Sequence, residues 1–241
     1  MFLYLVRHGE PDYKRDVLLP CGWEQAELAA RRLAVDGIDE IHASPMGRAQ
    51  QTAQPLSKRL GLPVITEPWA RELTEATWTP YPDGRIKGLF RVEPAHFHDP
   101  AYRHMDTEDA LSGLTGMCEG GYPQEYRERA EGLDGFLARC GYQRTAEGFY
   151  HAQAHTEKHI ALFCHGAMTR VLLSHMLHIP VQYLVSTLSV HFTGITILEF
   201  SEEWGCDIVP RMICCGDIGH LYTRGEPQTT FYVEGAPRRP F

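Results

Sequence analysis

FLYLVRHGE, residues 2–10, is the stretch on which the fold turns. Residues 2–6 are apolar without a break, and the run stops at Arg7-His8-Gly9. So short and uniform a run predicts a parallel strand buried on both faces. Pro11 and Asp12 then end it. The strand would deliver a guanidinium, an imidazole and a backbone without Cβ at its carboxyl end, where open α/β sheets bind ligands.

A second run of the same kind lies far downstream: residues 160–164 are apolar and stop at His165-Gly166. Between the two, residues 22–33 carry Ala26, Leu28, Ala29, Ala30 and Leu33 at helical spacing, with Gly37 as a stop. Residues 38–43 predict a strand. Ser44-Pro45 predicts the start of a helix over 45–60, since Ser caps and Pro fits the first turn. Gly61 would end that helix and Pro55 would kink it. A third strand follows at 64–66. Periodicity fails from 77 to 121, where Pro, Gly, His and aromatic residues dominate. It returns at 123–140, where Tyr126, Ala130, Leu133, Phe136 and Leu137 mark one helix face. A helix at 169–177 and two strands at 193–200 and 208–214, joined through a turn at 201–205, complete the reading. The alternation predicts a single α/β domain over residues 1–241. It would be three-layered and doubly wound, with a mixed, mostly parallel sheet, helices on both faces and an inserted cap or lid at 77–157.

The chain has 241 residues, 43% hydrophobic and 22% charged, with a net charge of −8. That balance suits a packed core and removes the broad positive field that holds nucleic acid or anionic membrane. Neither partner is expected, and phosphate-binding charge must be concentrated in a pocket. Seven cysteines, with Cys214 and Cys215 adjacent, form neither a disulfide framework nor a zinc pattern. The amino-terminal stretch is charged too soon for a signal peptide, and no run approaches the roughly 20 apolar residues of a membrane span. These features predict a cytoplasmic protein. Oligomeric state stays open, a homodimer included.

An imidazole is a competent nucleophile near neutral pH because its unperturbed pKa is about 6.5. Attack on a phosphoryl group needs guanidinium groups to hold the oxyanions. Arg7 is adjacent to His8, Arg48 stands on the helix after the second strand, and Gly9 lets backbone approach a phosphate. His151, His155 and His159 are spaced four apart and would share a helix face, but residues 148–159 also read as strand plus turn, which scatters them. No metal site is expected.

These motifs resemble the histidine phosphatase superfamily, which includes the cofactor-dependent phosphoglycerate mutases. Arg7-His8-Gly9-Glu10 matches its first signature, and Gly22, Gln25 and Ala26 fit its first helix. Ser44-Pro45 followed by Arg48-Ala49 and Gln51-Thr52-Ala53 matches the second signature. Leu73-Thr74-Glu75 resembles the stretch that supplies an acid, and His165-Gly166 matches the second histidine. The resemblance implies that His8 becomes phosphohistidine and that Arg7, Arg48 and His165 clamp the phosphoryl oxygens. It makes Glu75 the proton donor, with Glu72 as its rival. Gly9 and Gly166 would line the substrate site. Lys14, where the family usually has Asn, would reach a phosphate oxygen as a point charge. No cofactor is expected, because phosphoryl transfer is mainly positioning and charge stabilisation. The implied activity is hydrolysis of a small phosphorylated substrate. The alternatives are a phosphoglycerate-type mutase, although the run after Leu73 lacks the Asn-Glu-Arg-His-Tyr-Gly of such enzymes, and a binding module without catalysis.

Overall fold

Leu3 and Leu5 face one way from the first strand, Tyr4 and Val6 face the other, and all four are buried. A strand covered on both faces lies inside its sheet with helices on either side. The computed structural model, which describes residues 1–74, 99–113, 121–154, 156–203 and 205–222, has that arrangement.

Strand β1 (Phe2–Arg7) leads into a small hairpin, β2 (Pro11–Asp12) and β3 (Val17–Leu18). Helix α1 (Pro20–Asp36), strand β4 (Glu40–Ala43), helix α2 (Gly47–Leu60) and strand β5 (Val64–Thr66) follow, closed by a 3-10 turn at Pro68–Ala70. Helices α3 (Pro100–His104), α4 (Thr107–Gly113) and α5 (Tyr122–Arg139) precede the hairpin of β6 (Tyr142–Arg144) and β7 (Tyr150–Ala152). The chain continues as β8 (His159–Cys164), α6 (Gly166–Leu177), α7 (Val181–Thr187), β9 (Ile195–Glu199), β10 (Asp207–Ile208) and β11 (Arg211–Asp217).

The main sheet has the order β11-β9-β1-β8-β4-β5. The pairs β1/β8, β8/β4 and β4/β5 are parallel, while β9 runs against both of its neighbours. Helices α1 and α2 cover one face through Ala30, Leu33, Ala53 and Leu56, packed on Val6, Ile41 and Phe163. Helices α5 and α6 cover the other through Leu133, Phe136, Met168 and Leu172, packed on Leu3, Leu5 and Leu162. This is the doubly wound, three-layer α/β architecture read from the sequence.

Several expectations need correction. Helix α2 begins at Gly47 rather than at Pro45, because Ser44 bonds elsewhere and Asp16 Oδ2 accepts from the Gly47 N–H at 2.6 Å instead. Pro55 is accommodated within α2, which runs on to Leu60. The strand expected at 208–214 is divided at Pro210, which has no N–H to give a ladder. Asp207–Ile208 pairs with β7, and Arg211–Asp217 pairs with β9. The segment expected as an insertion at 77–157 contains core from residue 121 onward: Leu133, Phe136 and Leu137 of α5, with Tyr142 and Tyr150, are fully buried against the sheet layer. His151 and His159 fall in different sheets, bonded to Asp207 and Tyr4 respectively, and His155 lies outside the described residues. Among the described residues no helix is long and apolar enough to cross a membrane.

Candidate active site

The register of β1 and β8 sets Arg7 beside Cys164. The next residue of each strand is therefore His8 beside His165, with ring centroids 5.3 Å apart. The His8 N–H donates to the Cys164 carbonyl at 3.0 Å, which fixes the two strand ends to each other. His8 Nδ1 lies 2.8 Å from the Gly9 carbonyl. A carbonyl only accepts, so Nδ1 carries the proton and the lone pair is on Nε2. Burial, then the charges of Arg7 and Arg48, push the His8 pKa well below its usual 6.5, and the Gly9 bond acts the other way. His8 is thus neutral at physiological pH, the form that can attack.

Arg7 is held at the end of β1. Its Nη1 donates to the Val190 carbonyl at 2.5 Å, and its guanidinium stacks 4.3 Å from the centre of the Phe192 ring. Gly166 lies against this guanidinium, and a Cβ there would approach it to 3.3 Å. Arg48 stands in the first turn of α2, nearly fully buried, with Nη1 on Asp16 Oδ1 at 2.5 Å. Thr52, one turn on, donates to the Arg48 carbonyl and accepts from the Gly9 N–H at 2.9 Å. That link ties the loop after β1 to the helix carrying Arg48. Gly9 itself abuts α1: a Cβ there would stand 2.6 Å from the Gly22 carbonyl oxygen.

His165 is completely buried, with Nε2 2.8 Å from Ser44 Oγ. Burial, then the His8, Arg48, Arg7 and Arg71 charges, push its pKa well below 6.5. His165 Nδ1, Arg7 Nε and Arg48 Nε are all buried without a hydrogen-bond partner among the described residues. Buried polar nitrogens are ordinarily satisfied, so orphans on three neighbouring side chains mark a place where acceptor oxygens belong.

Glu75 lies outside the described residues. Glu72 is brought to the site. Its carboxylate accepts from the Ala167 and Met168 N–H groups at 3.4 and 3.1 Å, at the amino end of α6 just after His165. Burial raises its pKa above the usual carboxylate value, outweighing the Leu73 N–H bond, the Arg7 and Arg48 charges and the Met168 N–H bond. The segment is anchored from α5: Arg129 Nε donates to the Arg71 carbonyl at 3.1 Å, and Glu125 accepts from the Thr74 N–H. Trp69 seats on Gly132 of the same helix. Glu67, five residues earlier, has the opposite electrostatics. Burial would raise it, but bonds from His42, Arg139 and Trp69 prevail and lower its pKa.

The structure therefore brings together Arg7, His8, Gly9, Arg48, His165 and Gly166. Lys14 is exposed, and its backbone N–H donates to Asp12 Oδ1. The neighbouring Tyr13 has its ring 6.2 Å from His8 and 5.5 Å from the Arg48 guanidinium carbon. Asp16 and Phe192 were not singled out from sequence, since each acts through a contact between distant segments, and Thr52 entered only as part of the second signature, without a role. Ser44 was legible only as a helix cap. A cavity of about 350 Å³ lies at the other, amino-terminal end of the strands, between Glu40, His42, Arg139 and Lys158. Its two cations are already paired, Lys158 with Glu40 and Arg139 with Glu67, so it offers an incoming anion far less than the strand-end cluster does.

Fold and cluster together set two guanidinium groups and two imidazoles where parallel strands end, the position at which open α/β sheets bind ligands. The model of the histidine phosphatase superfamily (branch 1) matches residues 3–208, and the chain belongs to that superfamily. A relative named probable phosphoglycerate mutase GpmB, from Yersinia enterocolitica, is 40% identical over 80 residues, 30% of this chain and 37% of the relative. The chain thus matches little more than a third of that relative's length. Among solved structures, phosphoserine phosphatase from Entamoeba histolytica has TM-score 0.59 at 19% identity, covering 91% of this chain and 98% of the other. The mycobacterial glucosyl-3-phosphoglycerate phosphatase has TM-score 0.58 at 22% identity, covering 89% and 98%.

Proposed function

We propose that this chain is a phosphomonoester hydrolase that works through a phosphohistidine on His8, without a metal. The observation that carries the reading is His8 with its lone pair on Nε2, beside three buried nitrogens that have no hydrogen-bond partner among the described residues. In the first step Nε2 attacks phosphorus, the ester P–O bond breaks, and the Glu72 carboxyl proton passes to the leaving oxygen. Arg7, Arg48 and His165 hold the equatorial oxygens as charge spreads onto them. In the second step Glu72, now ionised, takes a proton from water. The water oxygen attacks phosphorus, the P–N bond breaks, and inorganic phosphate leaves with His8 neutral again.

Glu72 is assigned the acid because its raised pKa keeps it protonated further toward neutrality, and a dianionic phosphate beside it raises the pKa again. Glu67 is ruled out by its bonds to His42 and Arg139, which hold it ionised. A small phosphorylated substrate fits a site whose positive charge is concentrated around the guanidinium groups of Arg7 and Arg48 at the strand ends. The test is a phosphatase screen over a panel of phosphorylated metabolites. Activity is expected to survive exhaustive chelation and to be inhibited by vanadate, a mimic of the five-coordinate transition state. The GpmB relative favours a second reading, transfer of the phosphoryl group back to bound phosphoglycerate, so mutase activity is measured in parallel. Conversion of phosphoglycerate without phosphate release would replace hydrolysis by transfer.

A further inference from the structure

His165 meets Ser44 across the sheet. Residue 44 immediately follows β4 and residue 165 immediately follows β8, its parallel neighbour. Ser44 is fully buried, its N–H donates to the Phe163 carbonyl at 2.9 Å, and its Oγ lies 2.8 Å from His165 Nε2. The same Oγ accepts from the Met46 N–H at 3.3 Å.

Two arrangements of protons are open to this pair. In one, the Ser44 hydroxyl donates to Nε2, and the neutral imidazole keeps its proton on Nδ1. In the other, Nε2–H donates to Ser44, which already accepts from Met46, and the hydroxyl proton is left without an acceptor among the described residues. The first leaves only the Nδ1–H without a partner among the described residues, whereas the second leaves both the hydroxyl proton and the Nδ1 lone pair unmet; unmet buried polar groups are costly, so the first prevails. It gives the orphaned Nδ1 a proton to offer.

We propose that Ser44 is a positioning residue that locks His165 in its Nδ1–H tautomer, so that His165 acts on the phosphoryl group as a neutral hydrogen-bond donor. The assignment rests on the phosphatase reading for its consequence, but the tautomer itself does not. Burial of His165 and the neighbouring guanidinium groups keep the ring neutral, which is the state in which the choice of tautomer matters. With Nδ1 protonated, the ring gives one hydrogen bond to a phosphoryl oxygen without adding a charge that would bind the free dianion equally in ground and transition states. With the other tautomer, Nδ1 would present a lone pair to an oxyanion and repel it.

Nitrogen NMR spectra of isotope-labelled histidine in the whole protein test this, with the His165 signal identified by its loss in His165→Gln. The wild type is expected to show His165 protonated at Nδ1, and vanadate is expected to shift that signal. In Ser44→Ala the tautomer should redistribute toward Nε2–H, and vanadate affinity should fall about ten- to a hundredfold, the scale of losing one hydrogen bond to a charged oxygen. Thermal unfolding of the variant gives an independent check that it is folded. A wild-type spectrum with the proton on Nε2 would overturn the proposal, as would a folded Ser44→Ala with unchanged tautomer and vanadate affinity. If no phosphomonoester is hydrolysed, the functional reading fails on its own, and the spectrum still decides the role of Ser44.

Discussion

His8 and His165 are twins in sequence, each a His-Gly that ends an apolar run, and they are neighbours in space, yet they engage opposite ring nitrogens. His8 is bound through Nδ1 by a carbonyl of its own loop. His165 is bound through Nε2 by a serine hydroxyl from a different strand end. The first arrangement fixes a proton on Nδ1 and exposes a lone pair on Nε2; the second leaves Nδ1 as the buried, unpartnered atom. On the proposed function one imidazole serves as nucleophile and the other as donor, with neither ring charged. The difference teaches that a shared dipeptide fixes place, while the partner of one nitrogen fixes role.

The largest effect that sharpens this comparison is expected at His8. Replacing it with Ala removes the attacking atom, and kcat should fall by about 10⁴–10⁶, the scale seen when a nucleophile is deleted. Chemical rescue by free imidazole would strengthen the assignment, while near-normal turnover would break it. Glu72→Gln comes next. An alkyl phosphate leaves as a strong base, so its kcat/KM should drop by about 10²–10⁴, whereas an aryl phosphate with an acidic phenol should lose far less. Glu67→Gln should instead cost stability and leave that substrate ratio unchanged. Should Glu72→Gln treat both substrates alike, the acid is another group, with Glu75 first in line. His165→Ala should cost about 10²–10³, as for loss of one oxyanion donor, and still permit slow phosphorylation of His8.

Much of this was legible in the sequence because it depends on local pattern. Apolar runs at 2–6 and 160–164 specify buried parallel strands, and the residue after each run must stand at the carboxyl edge of the sheet. Arg48 follows from its place in the first turn of the helix after β4. What sequence could not show are links set by tertiary contact. Asp16 reaches Arg48 and the amino end of α2 from a hairpin whose φ of 54° at Asp16 turns the chain back over the helix. Ser44 looked like an ordinary cap because the competing partner, His165, is 121 positions away. The proposal of Glu72 as the acid rests on its burial against the amino end of α6, which periodicity does not report.

A smaller effect follows from burying neutral histidines. The folded pKa values of His8 and His165 lie well below 6.5, and burial takes His220 down to about 4. The unfolded chain therefore binds more protons than the folded one as pH falls below 6.5. The stability these groups contribute is complete above 6.5 and is lost on acidification toward their folded pKa values. Each contributes a slope of about 1.4 kcal/mol per pH unit in that window. Urea unfolding followed from pH 7 to pH 4.5 should show the midpoint falling, with a shallower fall in His220→Phe than in wild type. Because the raised pKa of Glu72 acts in the opposite direction, the deciding quantity is the difference between the two proteins: an identical pH dependence in His220→Phe and wild type would contradict the burial of a neutral His220.

The most direct test of the account is to trap the covalent intermediate. The protein is mixed briefly with a radiolabelled phosphomonoester and quenched in alkali, and the labelled peptide is mapped. The account predicts label on His8 that survives alkali, is released by acid, and is absent from His8→Ala. Label that persists in His8→Ala, or that survives acid and maps to a hydroxyl or thiol side chain, would contradict it.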